Sequence, residues 1–169
     1  GRDVFARALE LGLQVEDVTV ERSEEIEPLL AALACARGEL INLVSFLSTR
    51  ALYTLYAAVD AVLANSGREP FGLVGLEVMA ARGVAVTGAT GEEYAEPFGN
   101  AIVVDTEDGR ELATYVGALA QDPHLGKALR KAGRRTARRY TWPRVIAALN
   151  YKIAAVDAET RGYPSSDEE

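Results

Sequence analysis

The stretch REPFGLVGLEVMA, residues 68–80, decides how this chain is read. It is apolar enough for burial, yet Glu69 stands at its head and Glu77 sits between Leu76 and Val78. A buried carboxylate is costly unless something hydrogen-bonds to it, so the stretch asks for a partner. Pro70 suits the first turn of a helix, where an amide hydrogen would be unpaired anyway, and predicts a helix starting near residues 70–72 and ending about Arg82. DAVLANS precedes it and VAVTG follows it, both reading as buried strands. Strand, helix and strand in that order define a parallel crossover unit. Outward along the chain the same alternation recurs, which gives an α/β class: a single Rossmann-like domain with a parallel sheet flanked by helices.

The flanking elements follow from local signals. A helix is expected from Asp3 to Leu11 with Gly12 as its stop, then a strand at DVTVE and a helix from about Ser23, where SEEIE resembles a capping box, to Gly38. LINLVSF reads as a strand, and Ser48 or Thr49 caps the helix RALYTLYAAV. Beyond the central stretch lie a Gly-rich loop, a strand at AIVVD and helices over about 108–120, 124–139 and 142–157. Residues 1–158 thus form the domain, and 159–169 read as a disordered acidic tail. The second EPF, at Glu96–Phe98, is taken as coincidence.

The chain has 169 residues, 49% hydrophobic and 25% charged, which suits one globular domain with a proper core. No run approaches the roughly 20 apolar residues of a membrane span. No basic-then-apolar leader is read, and the lone Cys35, expected as a small buried side chain, fits a reducing cytoplasmic compartment. A net charge of −7 argues against nucleic-acid partners. No His, Cys and carboxylate set has metal-ligand spacing, so neither a metal nor a cofactor is expected.

Ligands of open parallel sheets sit outside the carboxyl ends of strands, where loops enter helices. There the amides of Phe71, Gly72, Leu73 and Val74 form a free donor set suited to a phosphate. Glu69 would repel a phosphate and is better used to accept hydrogen bonds from a polyol. Glu77, about 9 Å along a helix starting at residue 71 and leaning back toward its N-terminus, would stand about 5–7 Å from that phosphate. That is the reach of a ribose. A plainer reading makes the two glutamates a helix-terminal charge and an internal ion-pair partner.

At these residues the chain resembles retaining glycosyltransferases of the GT-B architecture, in particular the large family 4 group. Glu69 and Glu77, with seven residues between them in EPFGLVGLE, match the family's paired glutamates, and MA follows as it commonly does there. LYTLYAAVDAVLANS, GEEYAEPFGNAIVVDTEDGRELA and YTW at Tyr140–Trp142 extend the similarity over about residues 40–157. The resemblance implies the C-terminal, nucleotide-sugar-binding half of a two-domain enzyme, with an N-terminal acceptor-binding domain as its partner, absent from this chain. It implies that Glu77 binds the ribose hydroxyls, that Glu69 holds the transferred hexose as the catalytic carboxylate, and that Phe71, Gly72, Leu73 and Val74 offer amides to sugar and phosphate. A loop around Phe46–Ser48 would meet the base. The chain departs from the family at Arg82, near a glycine slot, at Val84, where proline is common, and at Thr90 and Gly91 in place of a double glycine. The resemblance implies that the Arg and Lys for the diphosphate lie upstream of GRDVFARAL and that the acceptor groups and any catalytic histidine lie on the absent domain, so the fragment alone is expected to bind donor weakly and without turnover.

The rival readings are a stand-alone nucleotide or nucleotide-sugar module without transferase activity, a nucleotide-sugar epimerase or hydrolase, and a purely structural domain. His124 reads as a surface residue. Lys127, Arg130, Lys131, Arg134 and Arg138 form one basic helical face, read as solvated surface rather than as a peripheral membrane contact. Tyr53 and Tyr56 read as packing, and Trp142 as the anchor of the last helix.

Overall fold

The computed structural model describes residues 2–21, 25–64, 71–88, 93–106 and 108–161. It divides into two compact units, 1–59 and 60–169. The SEEIE capping box, Pro70 and the tail from 162 onward fall wholly or partly outside the described residues.

The first unit runs α1 (Arg2–Glu10), β1 (Val15–Val18), α2 (Glu27–Cys35), β2 (Leu40–Leu43) and α3 (Thr49–Ala58). Gly12 ends α1 as expected. It adopts φ 80°, and the Gly12 and Leu13 amides donate to Leu9 O and Ala8 O at 3.0 Å each. β1 and β2 pair in parallel from Val15↔Leu40 to Val18↔Leu43. β1 lies earlier than DVTVE because Val20 leaves the ladder, its amide donating to Ser45 Oγ at 2.6 Å. Ser48 is the cap of α3, its Oγ accepting from the Ala51 amide at 3.2 Å. Ile26, Leu29 and Ala51 make the core with Leu33, Leu43, Leu47 and Leu55. Cys35, expected inside, is exposed: it lies two residues past Leu33, off the buried stripe of α2. Tyr53 and Tyr56 stack on each other with ring centroids 6.1 Å apart.

The second unit runs β3 (Val62–Ala64), α4 (Leu73–Ala80), β4 (Ala85–Thr87), β5 (Ile102–Val103), α5 (Gly109–Gln121), α6 (Pro123–Ala137) and α7 (Trp142–Arg161). The sheet order is β3–β4–β5, all parallel, with Ala64↔Thr87 and Thr87↔Val103 in register at the carboxyl end. All three residues of β4 are buried, as befits a central strand covered on both faces. Val84, Val86, Ile102 and Val104 pack under Leu119 of α5 and Leu129 of α6. Asp108 and Asp122 cap those two helices, Asp122 Oδ1 accepting from the His124 and Leu125 amides. His124 is on the surface, as expected.

α4 is buried at Gly75, Leu76, Val78 and Met79. α6 can approach it because residue 133 is glycine: a Cβ there would lie 2.9 Å from Met79 Cγ and 3.1 Å from Asn100 O. α7 behaves differently. It runs four residues beyond the expected end at 157, and every side chain described on it is exposed. Trp142, expected to anchor its start, is 78% exposed. No helix among the described residues is long and apolar enough to cross a membrane.

Candidate functional site

The site is built at the start of α4, which follows β3 in the chain and to which the loop after β4 returns through Tyr94. Gly72 is the N-cap, at φ 74° and ψ 56°, a left-handed conformation that glycine adopts without a Cβ penalty. The helix therefore begins at Leu73, three residues past Pro70, which is a correction to its expected place in the first turn. Leu73 and Val74 head α4, and their amides have no intrahelical acceptor. The Gly75 amide is already engaged with Gly72 O at 3.2 Å. The expected set of four free donors is thereby reduced to two within the helix, with Phe71 and Gly72 leading into it. Glu77 stands about 6 Å along the axis from Leu73, closer than the sequence estimate.

A pocket of about 520 Å³ opens over this helix start, lined by Phe71, Leu73, Leu76, Glu77, Glu93 and Tyr140, with Trp142 and Val145 from α7. Glu77, the charge that made the stretch odd, is half-buried and turned to this pocket, not into the core. Leu73, 61% exposed, marks the open side. Val74 is half-buried and Gly72 buried. Glu69 lies outside the described residues.

Three aromatic rings hold the wall. Phe71 lies 5.5 Å from Tyr94 and 5.8 Å from Tyr140 between centroids, and Tyr94 meets Tyr140 edge-on at 6.1 Å. The Tyr94 hydroxyl donates to Gly72 O, which ties the loop after β4 to the cap of α4. Gly75 leaves room for that ring: a Cβ would collide with the Tyr94 hydroxyl and lie 3.1 Å from Thr87 Cγ2. Tyr140 Oη donates to Glu93 O at 2.9 Å and brings the second carboxylate to the pocket. Asn100, buried, secures the same loop. Its Oδ1 accepts from the Glu96 amide at 2.8 Å, and its Nδ2 donates to Tyr94 O and Thr136 Oγ1. The second EPF thus forms a turn, bridging Pro97 to Ala101, and not a second helix start.

Glu93, Tyr94 and Tyr140 were not read as site residues, although GEEYAEPFGN and YTW contain them. Phe46, 71% exposed, and Ser48 belong to the other unit. No group of three or more His, Cys, Asp or Glu among the described residues is placed to hold a metal.

A parallel α/β domain offering two free helix amides, a carboxylate one turn on and an aromatic-walled pocket has donors and acceptors of the kind that suit a phosphorylated, hydroxyl-bearing ligand. A family model for Glycosyl transferases group 1 matches residues 24–136, and the chain belongs to that family. A D-inositol 3-phosphate glycosyltransferase of Corynebacterium urealyticum is 32% identical over 135 residues, which is 77% of this chain and 31% of that protein. The chain thus spans about a third of the length of this relative. Among solved structures, sucrose-phosphate synthase from Thermosynechococcus elongatus shares the fold with a TM-score of 0.63. It is 20% identical, covering 90% of this chain and 48% of that one. Anabaena HepE in complex with UDP-glucose gives 0.57, at 18% identity over 94% of this chain and 53% of that one. The fold is that of a GT-B glycosyltransferase C-terminal domain, as the sequence resemblance implied.

Proposed function

We propose that this chain is the donor-binding domain of a retaining, family 4 type glycosyltransferase that transfers a hexose from a nucleoside diphosphate sugar to an acceptor hydroxyl. The observation that carries the reading is the pairing at α4: amides of Leu73 and Val74 left free at its start, and Glu77 a turn later on the same pocket wall. In this reading the amides, with Phe71 and Gly72 leading in, hold the diphosphate and sugar, and Glu77 accepts from the vicinal ribose hydroxyls. Glu69 accepts from hydroxyls of the hexose, and Glu93 supplies a second carboxylate on the same wall. Domain 1–158 carries the site, and 159–169 is an acidic extension.

The reaction asks little covalent chemistry of the protein. The bond from the anomeric carbon to the diphosphate oxygen breaks, and its electron pair leaves with the diphosphate. The acceptor oxygen enters on the same face, which preserves configuration, and its proton passes to the departing diphosphate oxygen. Helix amides at the departing diphosphate stabilise developing charge, and the pinned cap at Gly72 makes them pre-organised. UDP is the first nucleotide to try, because HepE, which shares the fold, was solved with UDP-glucose.

An acceptor-binding domain on a separate part of the protein completes the site in this reading. Ile146, Leu149, Ile153 and Val156 support it, since they recur at helical spacing on α7 and are exposed, as a face made for a partner would be. The cytoplasm supplies nucleotide sugars and is the compartment proposed.

Calorimetric titration of the chain with UDP-glucose, GDP-mannose and ADP-glucose tests the donor site. One base should be preferred, and Glu77→Ala should weaken it at least tenfold, about 1.4 kcal/mol. Equal heats from the folded variant would remove Glu77 from the site.

A further inference from the structure

The other end of α4 carries a second groove, of about 500 Å³, lined by Arg82, Arg130, Lys131, Arg134, Arg135 and Arg138. Every lining side chain is cationic, in a chain whose net charge is −7. Arg82, Lys131, Arg134, Arg135 and Arg138 have no carboxylate partner among the described residues, unlike Arg7 with Glu10 and Arg110 with Asp108. Arg130 is engaged in a different way. Its Nη1 donates to Arg82 O at 3.0 Å and its Nη2 to Asp60 O at 3.4 Å, which fixes the turn after α4 to the groove floor.

Cations at the end of α6 favour its helix dipole, and that alone would account for Arg134 and Arg135. It does not account for Arg82, which comes from a different element and at a cost. Gly83 N donates to Val78 O at 2.8 Å and Arg82 N to Met79 O at 3.1 Å, the same pair of bonds that closes α1 at Gly12. Arg82 thus occupies the glycine position of the turn, at φ 68°, where a side chain is strained. The strained turn sets the Arg82 guanidinium opposite those of α6. Arg134 is half-buried there. Desolvation first, then the charges of Arg82 and Arg138, push its guanidinium below the usual value. An anion would relieve that repulsion.

We propose that this groove is a binding site, separate from the donor pocket, for a compact ligand carrying two or more phosphate groups. Guanidinium forks match phosphate oxygens in pairs, and a volume near 500 Å³ is that of a small-molecule site. The cations come from two elements, α6 with its C-cap and the turn after α4, and line one groove, which suits a ligand that carries several anionic groups close together.

Inorganic tripolyphosphate is the probe, titrated by calorimetry against sulfate at matched ionic strength. Tripolyphosphate should bind at least a hundredfold more tightly than sulfate. Arg82→Gly, which puts the preferred residue at that φ and so keeps the fold, should weaken it about tenfold, and Arg134→Gln with Arg138→Gln by more. Glu77→Ala should leave it unchanged. Sedimentation with phosphatidylglycerol vesicles separates the sources: binding that tripolyphosphate displaces points to a lipid headgroup, and no sedimentation points to a free phosphorylated ligand. Equal tripolyphosphate affinity in wild type and Arg82→Gly, or affinity no better than for sulfate, overturns the proposal. Vesicle binding that survives Arg82→Gly does so too.

Discussion

Thr87 ends β4 directly beneath Gly75, and its hydroxyl is a buried polar atom without a hydrogen-bond partner among the described residues. A hydroxyl removed from water and left unpaired costs stability, whereas a methyl of similar size does not. Thr87→Val should therefore raise the unfolding free energy by about 1 kcal/mol in urea denaturation. A loss of stability would show that the hydroxyl is bonded. Among single residues the sequence was informative where chemistry is local. Gly12 as a helix stop and Ser48 as a cap both follow from near neighbours, and so does the choice of Glu77 as a candidate. Tyr94 was not legible, because its hydroxyl bonds Gly72 O across 22 residues of chain, and nothing near Tyr94 announces that partner. Arg82 was noticed only as a departure from glycine; that the turn keeps its left-handed geometry without glycine required the backbone itself.

Elements add a competition that single residues do not show. Gly133 lies inside α6, where Gly→Ala ordinarily stabilises a helix by about 0.5–1 kcal/mol. Here the added Cβ meets fully buried Met79 and the Asn100 carbonyl. Overpacking of that kind costs about 1–3 kcal/mol, so Gly133→Ala should destabilise on balance, by about 1 kcal/mol in thermal or urea unfolding. A stabilised variant would mean that α4 and α6 are less closely seated. The α/β alternation and each described helix were legible from periodicity, but starts and stops shifted. α4 begins at Leu73 because the turn at Gly72 is left-handed, and β1 stops at Val18 because Val20 bonds Ser45.

Acid sensitivity also belongs to elements. Glu16 on β1 accepts from the Arg37 and Gly38 amides at 2.6 and 2.7 Å, and those bonds hold its carboxyl below the usual range. Glu111 is lowered likewise, by the Thr106 hydroxyl first, as it ties the loop before α5. A carboxyl depressed on folding contributes stability that is present above its ordinary pKa and is lost as pH falls through the lower folded value. Glu16→Gln should accordingly flatten the fall in stability below about pH 4.3, the ordinary glutamate value. An acid limb unchanged in the variant would show that Glu16 is not coupled to folding.

For the whole molecule, composition described an acidic globular chain and said nothing of where the charge lies. The net −7 conceals a groove lined entirely by cations, formed only when α6 and the turn after α4 come together. Trp142 read as the anchor of the last helix, yet α7 leaves it exposed at the edge of the pocket over the start of α4. Family membership, by contrast, was legible from one thirteen-residue stretch.

The proposed function stands or falls on a nucleoside diphosphate lying at the start of α4. Amide chemical shifts of isotopically labelled chain, followed during addition of UDP, would locate it. The largest shifts should fall on Gly72, Leu73, Val74 and Glu77, with Glu93 following, while Arg82 and Arg134 stay still at low nucleotide. Shifts centred on the arginine groove, or none at the head of α4 at saturating nucleotide, would contradict the donor site.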